Sequence, residues 1–145
     1  AGKSLRDISS HLTGIDISEN MISEAEKLEI YDNLIVGDIV ETLSSSQEKI
    51  DLFVALDVLI YIGDALLTFQ AVRECCKPDS LFAFSVEIQE ESGYSLLKSA
   101  RYAHSDKYIM EQTSGIFDLV DSQTVRLRKE GDNWINGKVY VFRAI

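Results

Sequence analysis

Apolar positions along the chain fall into short blocks of two periods. Leu12, Thr13 and Ile15 form a short strand that closes on Asp16. Met21, Ile22, Ala25 and Leu28 then recur at the spacing of one helix face, predicting a helix over 18–29 with Ser18 as its N-cap. Residues 33–36 read as the next strand, with Gly37 and Asp38 at its end. Residues 50–56 are almost continuously apolar with β-branched members, the pattern of a strand buried on both faces of a parallel sheet, and Asp57 closes it. Ahead of these strands, residues 1–11 predict a helix with Leu5 and Ile8 turned inward. Residues 40–48 are polar and serine-rich, predicting a loop with at most a turn of helix.

The second half alternates in the same way before changing character. Residues 66–76 predict a helix with Phe69, Val72 and Cys76 on its inner face, ended by Lys77-Pro78-Asp79 because proline cannot continue a helix. Residues 81–87 form the following strand. Residues 93–100 read as a helix and 101–110 as irregular chain rich in Tyr and His. Residues 117–128 and 134–144 alternate apolar and polar around Gly131-Asp132-Asn133, which predicts an antiparallel hairpin. The fold class is therefore α/β: a Rossmann-like parallel sheet ending in an antiparallel hairpin, with residues 1–145 as a single domain.

Three strand ends each carry an acid: Asp16, Asp38 and Asp57. In open α/β sheets ligands bind outside the carboxyl ends of the strands. An acid there can accept two hydrogen bonds from a ribose diol, and its charge is best tolerated beside helix N-terminal amides. The arrangement suits an adenosine-containing cofactor.

Charge and cysteine usage narrow the partners. The net charge of −10 repels nucleic-acid phosphates, which require Lys and Arg clusters. No apolar run approaches the ~20 residues of a membrane helix. The two cysteines, Cys75 and Cys76, are neighbours on a predicted helix, so no disulfide framework is expected and the expected compartment is reducing, hence cytoplasmic. Two Cys and two distant His give no metal-ligand cluster.

The ordered series GIDIS, GDI, DLFVALDVLIYIGD and KPDSLFAFSVE, at these spacings, resembles class I S-adenosylmethionine-dependent methyltransferases over nearly the whole chain. Within them it is most similar to the UbiE-like small-molecule group, including members that carry tetratricopeptide repeats. The resemblance implies that Asp16 binds both ribose hydroxyls, with Ile17 and Met21 flanking the adenine. It implies that Asp38 hydrogen-bonds the adenine amino group, Gly37 allows close backbone approach and Ile39 stacks on the ring. It places the backbone of Leu56 and Asp57, with Val58, at the cofactor's amino end, and Tyr61 near the transferred methyl group. Each residue also has a plain structural reading, as solvated acid, turn or core. In the family a further strand and a glycine-rich GxGxG turn precede the first helix. Neither is present here, Ala1-Gly2 standing where the pair after that turn would stand. The first, central strand is thus expected to be missing from this chain, through shortening or supply by a partner, and cofactor binding by the chain alone is expected to be poor.

Acceptor-side residues follow by resemblance too. The segment after the fifth strand of the usual fold offers Tyr94, Arg101, Tyr102 and Tyr108 as substrate-binding residues and His104 as a general base, with Glu87 as a second base. Base-amine methylation in nucleic acids is excluded, since its tetrapeptide needs two prolines and this chain has only Pro78. The expected partner is a small-molecule acceptor, with neither nucleic acid nor membrane and with a homodimer or additional segment as a means of completion. Two rivals stand beside this reading. Tyr94 and Lys98 match the Tyr-x-x-x-Lys pair of short-chain dehydrogenases, although DVLIYIGD replaces the turn that family carries. A methyltransferase fold that has become a non-catalytic scaffold is the other.

Overall fold

The computed structural model describes residues 2–145 and divides into two compact units, the first ending at Ser46 and the second spanning Gln47–Ile145. Ala1, expected to open the first helix, lies outside the described residues.

The first unit contains α1 (Gly2–Arg6), β1 (Thr13–Asp16), α2 (Glu19–Glu26), β2 (Asn33–Val36) and α3 (Ile39–Ser45). β1 and β2 pair in parallel, from Thr13 opposite Asn33 to Asp16 opposite Val36. The crossover through α2 makes this a βαβ unit. Ser18 caps α2, its hydroxyl accepting from the Met21 amide at 3.4 Å. Arg6 fastens the turn before β2, donating to Asp32 at 2.7 Å, to the Ile30 carbonyl at 2.9 Å and to the Ser9 carbonyl at 2.7 Å. The hydrogen bond from Arg6, joined by the Leu12 amide, holds the Asp32 carboxyl below the usual carboxylate range.

The first-unit helices differ from expectation in three places. α2 ends at Glu26 rather than running to residue 29, so Leu28 lies beyond it, and Glu29 takes φ +52°. α1 stops at Arg6 rather than running to residue 11, and Ile8 is 76% exposed. The Ser9 hydroxyl bonds the Leu5 carbonyl at 2.7 Å while the Ile8 amide takes the same carbonyl, so the chain turns out of the helix there. Residues 40–48 are not a loop: most of them form α3. Asp38 starts that helix by accepting from the amides of Val40 at 2.8 Å and Glu41 at 3.1 Å. Serine-rich composition favoured a loop, but a capping carboxylate at the first position decides the outcome.

The second unit contains β3 (Ile50–Ala55), a 3₁₀ turn (Leu59–Tyr61), α4 (Leu66–Cys75), β4 (Cys76–Ile88), β5 (Tyr94–Leu96), β6 (Tyr102–His104), α5 (Asp106–Thr113), β7 (Phe117–Glu130) and β8 (Asn133–Ala144). Its sheet runs β5-β6-β4-β8-β7, with β3 also on β4. β3 and β6 pair with β4 in parallel, at Ile50–Ala55 and at Ala103 and His104 respectively. β8 pairs with β4 antiparallel, and β7 with β8, so the predicted terminal hairpin is present and Gly131 takes the positive φ of its turn, +59°.

β3 is not buried on both faces. It has a single hydrogen-bonded neighbour among the described residues, and Asp51 and Leu52 are exposed. The helix expected over 93–100 is absent. Those residues make β5 and a turn closed by the Leu97 amide on the Arg101 carbonyl, with Ala100 at φ +60°. The adjacent pair Leu96-Leu97 offers no helical stripe, while Tyr94 and Tyr102 suit a strand. The stretch expected to be irregular, 101–110, is instead β6 followed by α5, whose cap is Ser105 accepting from the Tyr108 amide at 3.1 Å. α4 turns inward through Phe69 and Val72 as expected, whereas Cys76 is buried as the first residue of β4. Phe82, Phe84, Tyr140 and Phe142 fill the core beneath α4, with Phe82 and Phe84 4.8 Å apart at their ring centroids.

Candidate active site

In the first unit the two strand-end acids are built alike. Asp16 Oδ1 accepts from the Ser18 amide at 2.8 Å, and the Asp16 carbonyl accepts from the Gly37 amide at 3.0 Å. Asp38 Oδ1 takes the two amides at the start of α3. Each carboxylate thus commits Oδ1 to a helix start and keeps Oδ2 without a protein partner among the described residues. Ile17 and Met21 are 75% and 57% exposed, so neither is a core residue. They offer an apolar surface in the turn and helix that follow Asp16. A β-carbon added to Gly37 would lie 2.8 Å from the Thr42 hydroxyl, and Ile39 is half-buried. These features fit an adenosine group: an open carboxylate oxygen for a diol, and apolar side chains for a flat ring.

In the second unit β3 ends at Ala55, and Leu56 and Asp57 are exposed with Val58 half-buried. Asp57 sits at φ +57°, a conformation aspartate tolerates better than most residues, and its amide donates to the Ser85 hydroxyl at 2.9 Å. Ser85 was not expected to matter; it fixes the backbone direction at the carboxyl end of β3. Tyr61, at the end of the 3₁₀ turn, is 67% exposed.

Four acceptor-side candidates converge in this unit. Tyr94 lies with its ring 6.1 Å from Tyr102, 6.0 Å from His104 and 5.3 Å from Tyr108, and His104 lies 5.6 Å from Tyr108. These rings pack against the loop before α4. A β-carbon on Gly63 would come within 2.7 Å of Tyr102 and 2.9 Å of Tyr94, so only glycine fits there. His104 is fully buried. Its Nε2 meets the Gly63 carbonyl at 2.9 Å, which requires the proton on Nε2, and Nδ1 has no partner among the described residues. The Tyr108 hydroxyl donates to Asp64 at 2.9 Å and accepts from the Ala65 amide at 2.8 Å. Burial first, and then the neighbouring Asp64, push the Tyr108 phenol up to about 12.

Arg101 and Glu87 belong to a separate ionic chain. Arg101 pairs with Glu130; Arg128 bonds Glu130 at 3.1 Å and Glu87 at 2.6 Å. Both candidates therefore already have charged partners. Glu87 also lines an open cavity of about 770 Å³ with Ile88, Glu90, Asp106, Lys107 and Trp134. Trp134 and Asp106 were not singled out from sequence, although the Ser105-Asp106 pair carries a helix-start signal. Burial raises the Asp106 carboxyl, but hydrogen bonds from Tyr140 and Lys138 outweigh it and hold the group below its ordinary range.

Burial depresses the His104 pKa below 6.5, against the opposing pull of the Gly63 and Ile62 carbonyls. The unfolded chain then takes up this proton at a higher pH than the folded one. Stability from the neutral imidazole is complete above about pH 6.5 and is lost progressively as pH falls from there toward the lower pKa of the folded state, with a slope of at most about 1.4 kcal/mol per pH unit. Denaturant melts between pH 7.5 and 5 should show this fall, and His104→Gln should flatten it. An equal slope in the variant would place the titration elsewhere.

Solved structures share the fold. An S-adenosylmethionine-dependent methyltransferase from Methanosarcina mazei superimposes with a TM-score of 0.73 at 17% identity, covering 99% of this chain and 86% of its own. The N-methyltransferase NodS from Bradyrhizobium japonicum, in complex with S-adenosyl-L-homocysteine, gives 0.73 at 16% identity, with 99% and 72% covered. An S-adenosylmethionine-dependent methyltransferase from Clostridium acetobutylicum gives 0.75 at 16%, with 98% and 78% covered. No curated protein matches the chain in sequence. The family model described as "Methyltransferase domain" matches residues 1–84, the stretch that carries all three acid-bearing strand ends, and the chain belongs to that family.

Proposed function

We propose that the protein transfers a methyl group from S-adenosylmethionine to a small-molecule acceptor, as a member of the UbiE-like group. The observation that carries the reading is the twin carboxylates of the first unit. Asp16 and Asp38 each stand at a strand end with one oxygen holding a helix start and the other open. Asp16 takes the ribose diol, Ile17 and Met21 cover the adenine, Asp38 takes its amino group, and Gly37 and Ile39 complete that side. For the second unit, taken by itself, the family resemblance assigns the backbone at Leu56 and Asp57, with Val58, to contact with an amino-acid moiety. The cofactor supplies, when bound, a methyl group activated on a positively charged sulfur. The protein's task is then chiefly to hold the acceptor atom ~3–3.5 Å away and in line, and a base is required only if that atom must lose a proton.

A small acceptor is supported by the open cavity at the carboxyl end of β4, whose roughly 770 Å³ gives room for a small organic molecule. Glu87 and Trp134 stand in its wall. A cytoplasmic enzyme is the setting that matches the unpaired, buried Cys76. Calorimetric titration of S-adenosylhomocysteine into the chain and into a form extended upstream should give saturable binding by the extended form, with weaker binding by the chain alone. Absence of heat from both, with both folded, would move the assignment to a non-catalytic scaffold.

A further inference from the structure

The methyl-transfer reading leaves His104 and Tyr108 without a task, because both are enclosed. What they touch is the loop that follows Tyr61. Nε2 of His104 donates to the Gly63 carbonyl, and the Tyr108 hydroxyl bridges Asp64 and the Ala65 amide. Asp64 also accepts from the Leu66 amide at 3.1 Å, so the start of α4 is tied into the same cluster. The tyrosine rings at Gly63 leave no room for a side chain on it. Upstream of this loop, the Asp57 amide is fixed by Ser85. The stretch 57–65 is thus anchored at both ends, while Tyr61 between the anchors is exposed.

We propose that His104 and Tyr108 are positioning residues, which clamp the loop at Gly63–Ala65 so that the segment carrying Asp57, Val58 and Tyr61 is presented in one conformation. The geometry favours this over a general base. A base must reach the proton it removes within ~2.6–3.2 Å, directly or through one water. Here Nε2 is spent on the backbone, and Nδ1 faces a fully buried, ring-lined environment. The inference rests on the methyl-transfer reading for what the segment does, and on the hydrogen bonds alone for the clamp.

The test compares Tyr108→Phe, His104→Leu and His104→Gln by hydrogen exchange and by S-adenosylhomocysteine titration. Glutamine carries an N–H donor where the imidazole Nε2 stands; leucine does not. Loss of one such hydrogen bond corresponds to about a fivefold to tenfold change. The Leu variant should exchange the amides of residues 62–66 faster by about that factor, the Phe variant, which loses two such bonds, by at least as much, and both should bind S-adenosylhomocysteine correspondingly more weakly. Exchange along β7 and β8 should not change, and His104→Gln should restore most of both effects. Gln and Leu variants that behave alike would overturn the clamp, as would faster exchange with unchanged affinity. Tyr108→Phe keeps the test decisive if the Leu variant fails to fold. A wild-type protein that binds no S-adenosylhomocysteine would count against the methyl-transfer reading, and the exchange comparison would still judge the clamp.

Discussion

Asp16→Ala is expected to weaken S-adenosylhomocysteine binding by about 100-fold while the far-ultraviolet circular dichroism stays that of the parent. The magnitude follows from the chemistry assigned to this side chain. A carboxylate that accepts both hydroxyls of a ribose makes two hydrogen bonds to a charged group, each worth about 1.5–3 kcal/mol, and about 1.4 kcal/mol is a factor of ten. The structural cost is smaller. Alanine removes the acceptor for the Ser18 amide, but the Ser18 hydroxyl still caps α2 through Met21, and the pairing of β1 with β2 is backbone throughout. Asp16→Asn separates the two roles: it keeps an oxygen for Ser18 and loses the charge, so it should lose much of the affinity with still less effect on stability. The same test at Asp38 is confounded, because that carboxylate caps α3 with two amides and its removal costs about 1 kcal/mol of helix stability besides any binding. Parent-like affinity in Asp16→Ala would withdraw the ribose assignment.

The residues that read correctly from sequence are those whose roles are local. Thr13–Asp16, Ser18 and Asn33–Val36 follow from short-range periodicity and capping, and the structure places them there. The terminal hairpin was legible for the same reason, since strict alternation on both sides of Gly131-Asp132-Asn133 leaves little else. The local structure of residues 93–110 was not legible. A strand of three residues, such as β5 or β6, has too few positions to show a period, and residues 93–110 owe their form to pairing with β4 and to the Ser105 cap. The surroundings of His104 show the limit most clearly: its ring nitrogen meets a backbone carbonyl 41 positions away, which no local pattern encodes. Asp38 shows the converse: residue and position were as read, while its hold on α3 emerged only with the helix itself.

Phe84→Ala should be the most destabilising single truncation in the second unit, at about 4 kcal/mol. The position explains the size. Phe84 lies in β4, opposite Ala55 of β3 on one side and Tyr140 of β8 on the other, and is fully buried. Its ring sits 4.8 Å from Phe82, 5.2 Å from Phe69, 5.4 Å from Tyr140 and 5.8 Å from Phe142. Removing it takes away the transfer free energy of the ring and leaves a void that four large neighbours, held by two strands and a helix, cannot fill; buried Phe→Ala changes cost about 3–5 kcal/mol. Against a total stability of roughly 5–15 kcal/mol, that is about a quarter or more, corresponding to a fall in melting temperature of roughly 10–20 °C. Phe84→Leu retains most of the volume and should cost less than about 1.5 kcal/mol. The contrast is Trp134→Ala. That ring is half-exposed and covered by Arg126 and Lys129 at 5.8 and 5.6 Å, contacts worth about 0.5–1 kcal/mol each at exposed sites. Thermal melts of the three variants, followed by near-ultraviolet circular dichroism, should therefore rank Phe84→Ala far below the others. Equal losses at Phe84 and Trp134 would mean that the aromatic cluster beneath α4 is not what holds β3, β4 and β8 together.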